Sequence, residues 1–190
     1  MHLARISLNT RRAPRMDQWA TMGAAVRDAL GADAAGSDVR LLWARTSPTT
    51  LIISCDTAPH WEAIPGAVAG TVQPLPRHTE GEVIRWELIT APTTQREATP
   101  TDEDPNPRSK RVPLAEDGFR EWLDQKLADA AQITSARWKR LGGRPARYHF
   151  VGEAVVRDSD ALQDLCLDGI GAGKGTGAGL LLTGTATTTR

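Results

Sequence analysis

Residues 159–183 read SDALQDLCLDGIGAGKGTGAGLLLT, a helical stretch, a glycine-rich run and an apolar strand in that order. Leu162, Leu165 and Cys166 share one face of a helix over Ser159 to Asp168, with Ser159 or Asp160 as its cap, and Ala178 to Thr183 follows as a strand. Glycine at alternate positions from Gly169 to Gly179 lets backbone amides approach an anion, and Lys174 adds one point charge. A nucleotide P-loop is excluded. It would need glycine at Asp168 and a hydroxyl at Gly175, and it runs from strand into helix. No GxGxxG register fits either, which removes the dinucleotide fingerprint. A connector that uses glycine only to turn is the alternative reading of the run. Helix-to-strand order makes the segment the closing half of a split βαβ unit.

Upstream, Arg147 to Val156 and Ile133 to Lys139 read as strands, and Phe119, Trp122, Leu123 and Leu127 mark an amphipathic helix from about Glu116 to Ala131. Val83 to Ala91 alternates as a strand, and Thr93 to Lys110 is a polar, proline-rich loop. The first part repeats the theme. Ala4, Ile6 and Leu8 alternate within a strand over His2 to Asn9, and a helix over Met16 to Leu30 carries Trp19, Met22, Val26 and Leu30 before Gly31 stops it. Val39 to Arg45 and Leu51 to Cys55 form a hairpin, His60 to Ala69 is a weak helix broken by Pro65 and Gly66, and Gly70 to Leu75 is a further strand. The pattern is α+β, with tandem ferredoxin-like (RRM-like) domains at residues 1–76 and 82–190, the second carrying the polar loop at 93–110 and the glycine-rich loop at 169–179. That fold alone does not give a function.

The 190 residues are 40% hydrophobic and 24% charged, which excludes a disordered tail protein. Cys55 and Cys166 show no metal spacing, so neither a disulfide scaffold nor a zinc ribbon is expected and a reducing cytosol is the natural setting. No apolar run reaches the roughly 18 to 20 residues that span a bilayer, and the start has no signal-peptide pattern, so the expectation is a cytoplasmic protein with no membrane partner. A formal net charge of +0 hides two acid-free basic windows, Met1 to Arg15 and Ala130 to Phe150, and the acidic Asp102 to Asp104 flips to Arg108, Lys110 and Arg111. Such clusters are either solvated surface or the footprint of a polyanion.

Together these segments resemble the CasE family, the CRISPR repeat-processing endoribonuclease subunit of type I-E Cascade. The resemblance rests on Gly169 to Lys174 followed by Gly177, Gly179 and Leu180, on Lys110 to Leu114 before an amphipathic helix, and on Ser7 to Thr10 closing the first strand. It implies two facing ferredoxin-like domains, a repeat RNA hairpin and other Cascade subunits as partners, and no metal or other cofactor. It also implies cleavage by attack of the neighbouring 2′-hydroxyl, which leaves a cyclic phosphate. That chemistry needs a proton acceptor, a proton donor and positive charge for the phosphorane.

The chain departs from the family in its first helix, which lacks both the usual histidine and the tyrosine often found one turn earlier. Members usually carry a histidine in the first helix, and here the matching position is Gly23 or, counted without gaps, Ala20. No catalytic residue is therefore assigned. An inactive subunit, an altered protein and an enzyme with another catalyst all remain open. His149 lies inside a strand, where a structural role is favoured. The expected RNA-binding residues are Arg11, Arg12 and Arg15; Arg108, Lys110 and Arg111; Arg137, Trp138, Lys139, Arg140 and Arg144; and Gly173, Lys174 and Gly175 of the loop. Trp138 enters as an aromatic among cations, a pairing that suits bases and backbone.

Overall fold

The computed structural model describes residues 1–31, 41–96, 110–143 and 145–186. Its first sheet starts from β1 (His2–Leu8), where Leu3, Ala4, Ile6 and Leu8 are buried and Arg5 and Ser7 face out. Helix α1 (Trp19–Ala29) buries Trp19, Met22, Gly23, Ala25, Val26 and Ala29 against it. The hairpin of β2 (Leu42–Ser47) and β3 (Thr50–Cys55) turns at Pro48 and Thr49, so Thr46 and Ser47 belong to the strand. Strand β4 (Ala67–Pro74) completes the sheet in the order β2-β3-β1-β4, all pairs antiparallel. The weak helix expected over His60 to Ala69 is a correction: only a 3-10 turn forms at Trp61–Ala63, and β4 begins at Ala67. Pro65 withholds a donor, and Gly66 turns the chain with a φ of 83° where a Cβ would lie 2.5 Å from the Ala13 nitrogen.

The second sheet has β5 (Val83–Thr90), β8 (Ala131–Gly142), β9 (Arg147–Val156) and β10 (Leu181–Thr185) in the order β10-β5-β9-β8, the same topological order as the first. Two repeats of one antiparallel order are the tandem ferredoxin-like arrangement. Helix α2 (Phe119–Leu127) is shorter than its apolar spacing suggests, because Glu116–Gly118 is a 3-10 turn and Ala131 already pairs with Val156. Helix α3 (Ser159–Asp168) is capped by Asp158, whose Oδ1 accepts from the Asp160 and Ala161 amides at 2.9 Å, not by Ser159 or Asp160. The polar loop at 93–110 is also corrected. Its ends form an antiparallel ribbon of β6 (Thr93–Arg96) and β7 (Lys110–Pro113), and residues 97–109 lie outside the described residues.

One continuous buried cluster joins the two halves, with Trp43 of β2 and Phe119, Phe150 and Leu180 of the second half all fully buried. The connection between the sheets is pinned as well. Glu82 accepts from His78 Nδ1 at 2.9 Å and from the Thr79 amide at 3.0 Å, while His78 Nε2 lies 3.0 Å from Thr183 Oγ1 of β10. The hydrogen bond from His78 holds the Glu82 carboxyl below its ordinary value of 4.5. A depressed carboxyl contributes stability that is present above its unfolded value and lost as pH falls through the folded one. Glu82→Gln should therefore cost about 1 kcal/mol at pH 7 in urea unfolding, with the difference shrinking below about pH 4. An equal loss at pH 3 and pH 7 would contradict the charge-based reading.

Candidate nucleic-acid interface

The glycine-rich run leaves α3 at Gly169, whose φ of 71° ends the helix, and is tied at its base by Ile170 N donating to Gly179 O and Gly179 N to Ile89 O, both at 2.7 Å. Its tip is a 3-10 turn at Lys174–Thr176 between Gly173 and Gly177, both left-handed. Thr176 braces the turn by donating from its amide and from Oγ1 to Gly173 O, each at 2.9 Å. Lys174 Nζ donates to Asp168 O at 2.6 Å, drawing the side chain back across the loop. Gly173, Gly175 and Thr176 are exposed.

On one flank the loop meets α1. A Cβ built on Gly23 would lie 3.6 Å from Gly175 O and 3.3 Å from Cζ2 of Trp43, so this buried glycine abuts both the turn and an indole ring. Ala20, the other position matched to the family histidine, is exposed. Gly177 fits only without a side chain, since its Cβ would fall 2.5 Å from Trp43 Cη2 and 2.8 Å from Trp19 Cε3. Beneath the turn sits Arg147, 7% exposed, with its guanidinium 4.6 Å from the Trp19 ring centre and Nη2 donating to Thr176 Oγ1 at 3.0 Å and Thr176 O at 3.2 Å. Burial lowers the Arg147 pKa from its ordinary value.

On the other flank the loop meets the ribbon. Arg111, Thr93, Thr94 and Gln95 line a polar pocket of about 320 Å³ with Lys126 and Trp122 of α2 and with Gly171 and Ala172 of the loop. Among the described residues no acidic side chain lines it. Two exposed cations and the loop backbone thus converge from elements distant in sequence, an arrangement that favours an anion.

A model described as CRISPR associated protein matches residues 1–183. The chain belongs to this CRISPR-associated family. Among solved structures, CRISPR endoribonuclease Cse3 bound to a 19-nucleotide RNA superposes with a TM-score of 0.77 at 20% identity, over 96% of this chain and 98% of that one. Cas6e from Escherichia coli K-12 gives 0.71 at 20% identity, over 98% of this chain and 100% of that one. A chain of E. coli Cascade bound to a PAM-containing double-stranded DNA target gives 0.52 at 18% identity, over 96% and 99% of the two chains. At these identities the likeness is one of fold. Among curated proteins none matches the chain.

Several expected site residues lie elsewhere on this family fold. Arg137 and Lys139 are exposed on β8, paired with Val151 and His149, and Arg137 lines a separate depression of about 630 Å³ with Arg85, Glu87 and Glu153. Trp138, between them, takes the opposite face of the strand. It packs edge-on to Phe119 at 5.7 Å and 72° and against Phe150 at 6.1 Å, with Nε1 donating to Glu116 Oε2 at 3.4 Å. Trp138 therefore packs at the edge of the core, on the face of β8 opposite Arg137 and Lys139 and on the same face as Arg140. Exposed Arg140 faces the same side as Tyr148, whose hydroxyl pKa is raised by burial and by Glu116.

Arg11, Arg12 and Arg15 are exposed in the turn before α1, with Arg15 at 3.4 Å from Asp17. That turn is clamped by buried Arg45, which donates to Pro14 O and, at 2.9 Å, to Pro48 O. Arg108 and Arg144 lie outside the described residues, as does the Lys110 side chain. Sequence reasoning missed Trp43 and Lys126 as parts of the site and counted Arg147 only as one charge in a basic window. None carries a local signal, since an apolar strand residue and two scattered cations are ordinary at their positions.

The other histidines and Cys166 lie away from the loop tip in these settings. His149 Nε2 lies 2.7 Å from Glu87 Oε1 across β5 and β9, His78 is held in the connection between the sheets, and His60 is exposed beside the 3-10 turn. Burial pushes the Cys166 thiol up to about 11, so it is protonated and unreactive at neutral pH. Among the described residues no group of three or more His, Cys, Asp or Glu side chains is placed to hold a metal ion, and no helix is long and apolar enough to cross a membrane.

Proposed function

We propose that this chain binds a CRISPR repeat hairpin as a subunit of a Cascade-type complex, through two units at residues 1–76 and 82–190, and that it holds the RNA with little or no cleavage. Support for RNA binding comes from the fold shared with RNA-bound Cse3 and with a Cascade chain, and from Arg111 and Lys126 lining the polar pocket beside the loop. The observation that carries the non-cleaving reading is Gly23: the helix position facing the glycine-rich turn presents no side chain, and an indole fills the adjoining space. Attack by a 2′-hydroxyl requires a group to take its proton and one to protonate the leaving oxygen. Lys174, Arg111 and Lys126 supply positive charge for a phosphate, but none replaces a neutral imidazole as proton acceptor at pH 7.

RNA contacts are assigned to Lys174 and the amides around Gly173 and Gly175, to Arg111 with Lys110, and to the turn carrying Arg11, Arg12 and Arg15. Arg137, Lys139 and Arg140 extend the basic surface as secondary phosphate contacts. Filter binding of a repeat hairpin against an unrelated hairpin tests the reading, with a chelator-containing cleavage assay alongside. Tight, selective retention without cutting is expected. Weak and equal retention of both hairpins would favour a module for a phosphorylated small molecule instead. Lys174→Ala should weaken hairpin binding about 5- to 10-fold and lower the salt slope by about one phosphate contact. An unchanged slope would remove Lys174 from the interface.

A further inference from the structure

We propose that Arg147 is a positioning residue that latches the tip of the glycine-rich loop against α1 and so presets the surface that meets RNA. The inference rests on the hairpin-binding reading for its last step, and on the free protein alone for the rest.

Arg147 opens β9 and is buried, yet among the described residues no carboxylate lies within ion-pairing distance of it. A buried cation without a counter-charge is a poor stabilising device. What its geometry does accomplish is to join three elements. The guanidinium stacks on Trp19 at the start of α1, and its Nη2 reaches both the carbonyl and the hydroxyl of Thr176 in the loop. Gly143, with a φ of 91°, makes room on the remaining side: a Cβ there would sit 3.2 Å from Arg147 Nη1 and 3.8 Å from Trp19 Nε1.

Thr176 transmits the grip. Its hydroxyl accepts from Arg147 while donating to Gly173 O, so one contact fixes both ends of the turn that carries Gly175 to within reach of Gly23. The base of the loop is independently closed by the Ile170–Gly179 and Gly179–Ile89 hydrogen bonds, which leaves the tip as the part a latch must hold. Beneath that tip, Arg147 Nε and Trp19 Nε1 are buried donors without an acceptor among the described residues. The underside of the loop is therefore donor-rich, and its exposed face at Gly173 and Gly175 is biased toward an anion.

Hydrogen exchange on the full chain without RNA, read on peptides covering 169–179, tests the latch in Arg147→Gln, in Thr176→Val and in the double variant. Exchange at the tip should rise about 10-fold in Arg147→Gln and less in Thr176→Val, with β5 and β9 protection unchanged. Hairpin affinity should fall about 10-fold in Arg147→Gln, about 3-fold in Thr176→Val, and in the double variant no further than in Arg147→Gln, because one contact is lost in each case. Additive losses, or an unchanged loop in both single variants, would overturn the latch whatever the RNA does. A loosened loop with unchanged hairpin affinity would overturn the RNA-facing step and the loop's place in the interface. If Arg147→Gln fails to fold, exposed Thr176→Val still decides between these outcomes.

Discussion

Repeat-hairpin RNA incubated with the unmodified chain and a chelator should stay almost uncut, at a rate roughly 100- to 10,000-fold below that of an imidazole-bearing relative. That range is what a positioned acid or base typically contributes, and the helix position that faces the glycine-rich turn has no side chain to supply it. Gly23→His is the informative substitution, but Trp43 changes what it should do. Replacing glycine in a helix interior gains up to about 1 kcal/mol. Against that, the new Cβ meets the Trp43 ring at 3.3 Å, and Trp43 is fully buried, so the ring must shift by a few tenths of an ångström inside the core. Overpacking of this kind costs about 1–3 kcal/mol, so the single variant should be less stable and only partly restored. Gly23→His combined with Trp43→Phe should cut faster than either single variant. Rapid cutting by the unmodified chain would point to another catalyst. Tight hairpin binding without any gain from Gly23→His, Ala20→His or the double variant would show that the register at α1 is wrong.

Gly177→Ala should lose about 3 kcal/mol or more of folding stability, while Gly175→Ala, two residues earlier, should stay within about 0.5 kcal/mol. Both belong to the same run of alternating glycines, yet their surroundings are opposite. At Gly177 the φ of 84° disfavours any Cβ, and Trp43 and Trp19 already occupy the space at 2.5 and 2.8 Å. At Gly175 nothing among the described residues lies within 4 Å of the Cβ position, and no positive φ is required. Denaturant midpoints of the two variants decide the matter. Equal, small losses would mean that the indoles yield and that the loop is held less firmly than its packing indicates.

Much of the architecture was legible before any coordinates, because the signals are local. Alternating apolar residues marked β1, β5 and β9 almost to the residue, and helical spacing marked α1 and α3. The errors fell where tertiary context overrides propensity. Ala131 continues the apolar stripe of α2 but is drawn into β8 by Val156, and the ends of the polar loop find each other as β6 and β7. Net charge and charge clusters pointed to a polyanion, but they could not say which cations share a face. The β pleat separates Trp138 from Arg137 and Lys139, and α2 brings Lys126 to Arg111.

By itself, then, the sequence determined the tandem α+β plan, helices α1 and α3, the glycine-rich turn between α3 and β10, and the want of an imidazole in α1, since each depends on neighbours within a few residues. Only the tertiary structure decided that Gly23 faces Gly175, that Trp43 fills the space beside it, and that Arg147 holds Thr176 from beneath. Those contacts join residues from 20 to more than 150 positions apart. No periodicity encodes them, because they arise from the way the two sheets and their shared core bring α1, β2, β9 and the loop to one place.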